Sequence, residues 1–241
     1  MTYFTYNGRS SAEFGLHIEK KDVFSAPEYD AEFISIPGRS GDIINPNRRF
    51  ANIKVTYTVF LTRKSTAALA SVLRDIKGWL YSEPDRYHEL TDSYDAEYFR
   101  YAVISGGLDI EEQLNKIGCF TVTFNCKPFK YSFEGLREIS IASGGLFNPE
   151  VFTAKPIITL KGSGDFSLTL QNSGYNKTWN FKGITDGVVC DSEQMNFYYG
   201  AVLLNDKVTG DGFPELPPGE TVLTVSGGVS EIKVTPRWCC L

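Results

Sequence analysis

Few residues in this 241-residue chain combine the side-chain types and spacings that chemistry requires. It has only 2 histidines, His17 and His88, and no spacing that sets two on one strand or one helix turn. A metal site or a nucleophile–base pair would need one of them to meet partners from distant sequence. Taken alone, both read as structural or solvated histidines. Carboxylates cluster at Asp92, Asp95 and Glu97, and again at Asp109, Glu111 and Glu112. Two carboxylates at the correct separation suffice for glycoside hydrolysis, but solvated loop faces account for these clusters better. The nucleophile-elbow, phosphate-loop and dinucleotide glycine motifs are absent. Cys119, Cys126, Cys190, Cys239 and Cys240 are odd in number and irregularly spaced. They fit neither a disulfide framework nor a zinc site, and a reducing compartment is expected, with Cys119 and Cys126 as small core residues. No catalytic residue, cofactor or metal ligand is assigned.

Binding chemistry has more material. The chain carries 17 Phe, 13 Tyr and 3 Trp. Trp179 and the run Phe197-Tyr198-Tyr199 could stack on sugar rings, so Trp179, Tyr198 and Tyr199 are the candidates for a carbohydrate-binding module. Core packing or a protein interface, where such residues are also enriched, explains them more simply. The segment Ile36-Pro37-Gly38-Arg39-Ser40-Gly41-Asp42 breaks a strand sharply, because Pro37 lacks a ladder donor and the glycines allow tight backbone geometry. Arg39, with Arg48 and Arg49, could bind phosphate or salt-bridge a neighbouring subunit. The formal net charge of -5 favours the subunit, since a protein that grips nucleic acid usually carries a basic excess. No apolar run reaches the length of a membrane span, and the start shows no basic region followed by an apolar core. A soluble protein without membrane insertion is expected.

The elements that must position these residues fall into two regimes. Of the 22 glycines, 8 lie in 1–133 and 14 in 134–241; net charge is -1 in the first part and -4 in the second. Two domains with a boundary near Phe133 to Leu136 are expected. In the first, Ile53, Val55, Tyr57, Val59 and Leu61 alternate with Lys54, Thr56, Thr58 and Phe60, and Phe120, Val122, Phe124 and Cys126 alternate with Thr121, Thr123 and Asn125, which is the period of a half-buried strand. Asn7-Gly8 predicts a tight turn. Between Ser65 and Leu80 the period becomes helical, with Leu69, Val72, Leu73, Ile76 and Leu80 on one face and Ser65 or Thr66 as the cap. The second part reads as short strands: 157–160, 166–170, 179–184, 188–190, 221–225 and 231–235. Gly162-Ser163-Gly164, Asn172-Ser173-Gly174, Gly210-Asp211-Gly212 and Gly227-Gly228 separate them as turns, the grammar of a sandwich or jelly roll.

Phe4-Thr5-Tyr6-Asn7-Gly8 is followed by Phe14-Gly15-Leu16, Ile36-Pro37-Gly38-Arg39-Ser40-Gly41, a helix ending Gly78-Trp79-Leu80, and the run from Gly118 to Tyr131. Asn148, Pro156-Ile157-Ile158, Phe213 to Gly219 and Pro236-Arg237-Trp238 come after. In this order the segments resemble the distal tail proteins of siphophages infecting Gram-positive bacteria, the baseplate hub family. The resemblance implies a mainly β fold: a ring-forming N-terminal domain over 1–133, sandwich- or split-barrel-like with one helix at about 65–80, and a galectin-like β-sandwich over 134–241. It implies a non-enzymatic homo-hexamer in the virion tail tip, made in the host bacterial cytoplasm. Its partners would be the tail tube or tail terminus above and the tail-associated fibre or lysin protein below, with DNA passing through without specific binding. Residues 134–241 leave no room for the arm insertion of larger relatives, so the short form is implied.

Overall fold

The computed structural model describes residues 2–113, with the backbone alone at 112 and 113, and residues 116–141 and 144–241. The chain is mostly β and divides into two compact units, residues 1–130 with Leu241, and 131–240. Among the described residues no helix is long and apolar enough to cross a membrane.

In the first unit the strands are β1 (Phe4–Tyr6), β2 (Arg9–Ser10), β3 (His17–Asp22), β4 (Tyr29–Ile34), β5 (Ile43–Phe50) and β6 (Ile53–Thr62). After the helix α1 (Thr66–Leu80) come β7 (His88–Asp92), β8 (Tyr98–Ile104), β9 (Glu111–Gln113) and β10 (Ile117–Ser132). Their sheet runs in the order β2-β1-β7-β8-β10-β6-β3. Asn7 and Gly8 join β1 to β2 with φ of 47° and 73°, the doubly positive geometry of a two-residue hairpin. The β6–β10 pairing sets Val55, Tyr57, Val59 and Leu61 opposite Phe124, Val122, Phe120 and Gly118, and all the apolar members face one core. Against it α1 lays Leu69, Ile76, Trp79 and Leu80, and Ser65 caps the helix by accepting from the Ala68 N–H at 3.3 Å. Trp79 adds to the helical face expected from periodicity: it stacks on Phe4 and Phe14 and donates to the Tyr6 carbonyl at 2.8 Å. Cys126 is in this core, but Cys119 is not. It lies opposite Phe60 on the outer, half-buried side, because it is odd-numbered in a strand whose even positions face inward.

The second unit contains β11 (Ile139–Ser140), β12 (Gly144–Asn148), β13 (Ile157–Asn172), β14 (Tyr175–Ile184), β15 (Gly187–Asp191), β16 (Asn196–Tyr199), β17 (Val202–Leu203), β18 (Val208–Thr209), β19 (Gly219–Thr235) and β20 (Cys239–Cys240). The four short strands expected at 157–160, 166–170, 221–225 and 231–235 are two long ones. Gly162-Ser163-Gly164 and Gly227-Gly228 are not hairpin turns; they are facing irregularities where β13 and β19 bend together. A Cβ on Gly162 would lie 2.4 Å from the Gly228 carbonyl oxygen, so only glycine lets the bent strands meet. The bend folds one sheet over itself: Ile158 and Leu160 before it, and Phe166, Leu168 and Leu170 after it, enter the same core. All five cysteines are free thiols.

Candidate assembly surface

Among the described residues, strands β4 and β5 pair only with each other, as a separate two-stranded ribbon. At its root, Tyr29 meets Phe50 edge-on at 5.2 Å, Phe50 meets Phe129 of β10 at 5.6 Å, and the Ala51 N–H donates to the Glu28 carbonyl at 2.8 Å. Its tip turns through Pro37 and Gly38, with φ of 82° at the glycine and the Arg39 N–H donating to the Ile36 carbonyl at 3.1 Å. Between root and tip almost every residue is exposed.

The register makes the two ribbon faces unequal. Phe33 lies opposite Ile44 and Ala31 opposite Pro46, so one face is wholly apolar. The other combines Ile34 and Ile43 with Glu32 and Asn45. Phe33 is 67% and Ile44 59% exposed. A two-stranded ribbon has too little buried area to hold itself in water, and contiguous exposed apolar residues mark interaction sites. The face is therefore a candidate contact surface.

The three arginines expected to act together are separated along this ribbon. Arg39 projects from the exposed tip. Arg48 occupies an irregularity between the Asp30–Arg49 and Ala31–Pro46 pairs, with a left-handed φ of 55°. Arg49 is committed within the chain, its Nε 2.5 Å from Asp30 Oδ2. The Asn47 amide, donating to Asp30 at 2.8 Å, and Arg49 together hold the Asp30 carboxyl below its ordinary range. Arg39 and Arg48 make no ion pair among the described residues, and they are the cations the ribbon offers outward.

The remaining expected sites are placed otherwise. Trp179 is fully buried, wedged against Gly210 and donating to the Gly212 carbonyl at 2.8 Å, so its ring has no face for a sugar. Tyr198 is half-buried and Tyr199 exposed, on opposite sides of β16. His17 stacks on Phe60 at 5.1 Å; His88 is 3.5 Å from a Glu83 carboxylate oxygen and edge-on to Tyr6. The carboxylates near Asp92 diverge: Asp95 pairs with Lys130 at 2.6 Å, Glu97 is exposed, and Asp92 is buried. Burial pushes the Asp92 carboxyl up against the pull of the Tyr94 N–H and of Lys21, 3.5 Å away. Among the described residues its Oδ2 has no hydrogen-bond partner, and Asp92 lines a pocket of about 30 Å3, room for one water. The side chain of Glu112 lies outside the described residues. Among those described, no three metal-ligating side chains converge. The apolar ribbon face escapes sequence reading because Pro46 and the irregularity at Arg48 interrupt its alternation.

Residues 11–126, within the first unit, match the family model of the phage tail protein RIFT-related domain. Over 100% of both chains, the fold matches the crystal structure of the Dit protein of phage SPP1, described as a paradigm of the hub adsorption apparatus of phages infecting Gram-positive bacteria (TM-score 0.76, 13% identity). It also matches, over 97% of both chains, the phage P2 baseplate in its activated conformation with Ca (TM-score 0.51, 9% identity) and with Sr (0.51, 10%). No curated protein matches the chain in sequence. The chain thus carries a match to a phage tail domain within its first unit and, over its whole length, the fold of the SPP1 Dit protein.

Proposed function

We propose that this protein is a structural hub of the tail tip. Copies close into a hexameric ring that joins the tail tube to the tail-associated fibre or lysin protein and surrounds the channel through which DNA leaves. The ribbon is the observation that carries this reading: an apolar strand pair with Phe33 and Ile44 exposed requires another protein surface. A ring is built by such heterologous contacts, in which one patch meets a different patch on the next copy. The first domain forms the ring, the second projects from it, and no reaction is catalysed. The overall acidity, net charge -5, suits a channel that DNA crosses without being held. Light scattering on a sizing column and negative-stain imaging test the reading. Six-fold rings are expected, alone or with the tail partner, and a chain that stays monomeric in both conditions would sink it.

A further inference from the structure

The two long strands of the second unit are finished differently on either side of their bend. Before the bend in β13 and after it in β19, the outward side carries the usual solvated charges: Lys161 pairs with Glu231 at 2.6 Å, and Lys233 with Glu138 at 2.8 Å. In the other half, the outward positions Ser167, Thr169 and Gln171 of β13 and Val222, Thr224 and Ser226 of β19 are all neutral. Neighbouring β14 adds Asn180 beside Ser167, Thr178 beside Thr169 and Asn176 beside Gln171, and Thr209 of β18 lies next to Asn180. These side chains are exposed or half-buried, alternating with the core residues Phe166, Leu168 and Leu170. A face left to water in a chain that is 22% charged is expected to carry lysine and glutamate, as the first half does.

At one end this face opens into a shallow recess of about 510 Å3, within the size range of ligand sites. Its rim is Asp165, Ser167, Asn180, Lys182, Thr209 and Ser226, and beneath it lies the buried stacked pair Phe166 and Phe181, with ring centroids 5.0 Å apart. The Ser167 and Ser226 hydroxyls are 2.8 Å apart, as are those of Thr169 and Thr178. Each pair orients its members and still leaves one hydroxyl proton and several lone pairs to offer outward. Asp165 Oδ1 accepts the Gly183 N–H at 2.8 Å, whereas its second oxygen, the Asn180 amide and the Lys182 ammonium have no partner among the described residues. From this juxtaposition we infer that the recess and the neutral face running from it bind a neutral oligosaccharide. Sugar hydroxyls donate and accept at once and carry no charge, which matches a surface of hydroxyls and amides that does the same. Asp165 accepts from them, and Asn180 and Lys182 donate to them. An acidic polymer would meet only one lysine, opposed by a carboxylate, and an apolar segment would meet little apolar surface. Trp179, Tyr198 and Tyr199 do not line the recess, and the inference stands apart from the ring reading.

An array of neutral hexose and N-acetylhexosamine oligomers, with sulfated oligomers as charged controls, tests the full chain, and the strongest ligand is then titrated calorimetrically. Binding to a neutral oligomer is expected. Asn180→Ala and Thr209→Val, at exposed positions on two different strands, should each weaken it about tenfold. Their urea midpoints should equal that of the wild type, and Tyr199→Ala should leave binding unchanged. A silent array overturns the inference, as does binding confined to the sulfated oligomers. Wild-type affinity in both Asn180→Ala and Thr209→Val places the ligand elsewhere and overturns it too. Six-fold rings that bind no sugar would leave the ring reading standing, whereas a strict monomer that binds one would remove the ring reading alone.

Discussion

Asp191 ends β15 and is 2% exposed; Arg237 grips both its oxygens, Nη1 at 2.7 Å from Oδ1 and Nη2 at 3.1 Å from Oδ2. Oδ1 also accepts the N–H groups of Glu193 and Gln194, each at 3.1 Å. Burial raises the Asp191 carboxyl, but the guanidinium and the two N–H donors outweigh it and leave the group below its ordinary range. Arg237→Ala removes the counter-ion and leaves the buried charge. Breaking such a pair costs about 3–5 kcal/mol, and the 17% exposure of the arginine side chain places this case near the lower end. Alanine keeps the left-handed backbone at 237, φ of 59°, so no strain is relieved in compensation. A loss of about 3 kcal/mol lowers the urea midpoint by roughly 1.5 M for a slope near 2 kcal/mol/M. Tryptophan fluorescence reports it, since Trp179 and Trp238 are both buried in this unit. Because the folded carboxyl is depressed, its contribution is present above the unfolded value of about 3.9 and fades as pH falls through the folded one. The gap between wild type and variant should therefore narrow below about pH 4. Adding Asp191→Asn should restore much of the loss at neutral pH. A midpoint change under about 0.5 M, or a gap that ignores pH, would refute the reasoning.

Three further outcomes are expected. Phe33→Ser with Ile44→Ser should leave the unfolding free energy within about 0.5 kcal/mol, since both side chains are exposed, yet weaken assembly about a hundredfold if each buries roughly 1.5 kcal/mol of apolar surface on contact; light scattering and urea titration give both values. Gly162→Val should abolish the cooperative transition of the second unit in near-ultraviolet circular dichroism, because its Cβ would meet backbone atoms at 2.4 and 2.9 Å, while Gly164→Ala, with open space but φ of 85°, should cost only about 1–2 kcal/mol. Asp92→Asn should gain stability relative to wild type as pH rises from about 4 to 7: the Asp92 carboxyl is raised, so its favourable contribution is present at low pH and lost as pH climbs through the folded value. A constant difference across that range would count against the buried, under-satisfied carboxylate.

Legibility in sequence followed the range of the physics involved. Alternation in β6, the 3.6-residue period of α1 and the Asn7-Gly8 turn are local signals that name their elements within a residue or two, whereas the alternation from Phe120 to Cys126 marks only the middle of β10, Ile117–Ser132. Glycine pairs are ambiguous, because tight turns and strand bends both need a backbone without Cβ. Gly162-Ser163-Gly164 and Gly227-Gly228 became bends only through facing each other across the sheet, which no local pattern reports. Trp179 shows the same limit from the other side, as an aromatic among polar neighbours whose burial depends on Gly210 and Gly212, some thirty positions away. Arg39, Arg48 and Arg49 read alike in sequence, yet Arg49 has a partner, Asp30, brought near only by pairing of β4 with β5.

The ribbon's construction bears on how copies join. A free two-stranded ribbon has two open edges, each able to template another strand and so to grow fibres. In β5, Pro46 lacks an N–H to offer, and the irregularity at Arg48, with φ of 55°, twists the same strand away from flat pairing. Neither device covers the apolar face. Edge-on association is thus obstructed at two points along the β5 edge, while face-on association is left open. Face-on seating on a differently shaped patch has a fixed geometry and can close after a set number of copies, whereas edge-on addition has no natural end. A strained arginine in an exposed strand does little for a monomer, and under the proposed ring reading it guards one ribbon edge against open-ended growth.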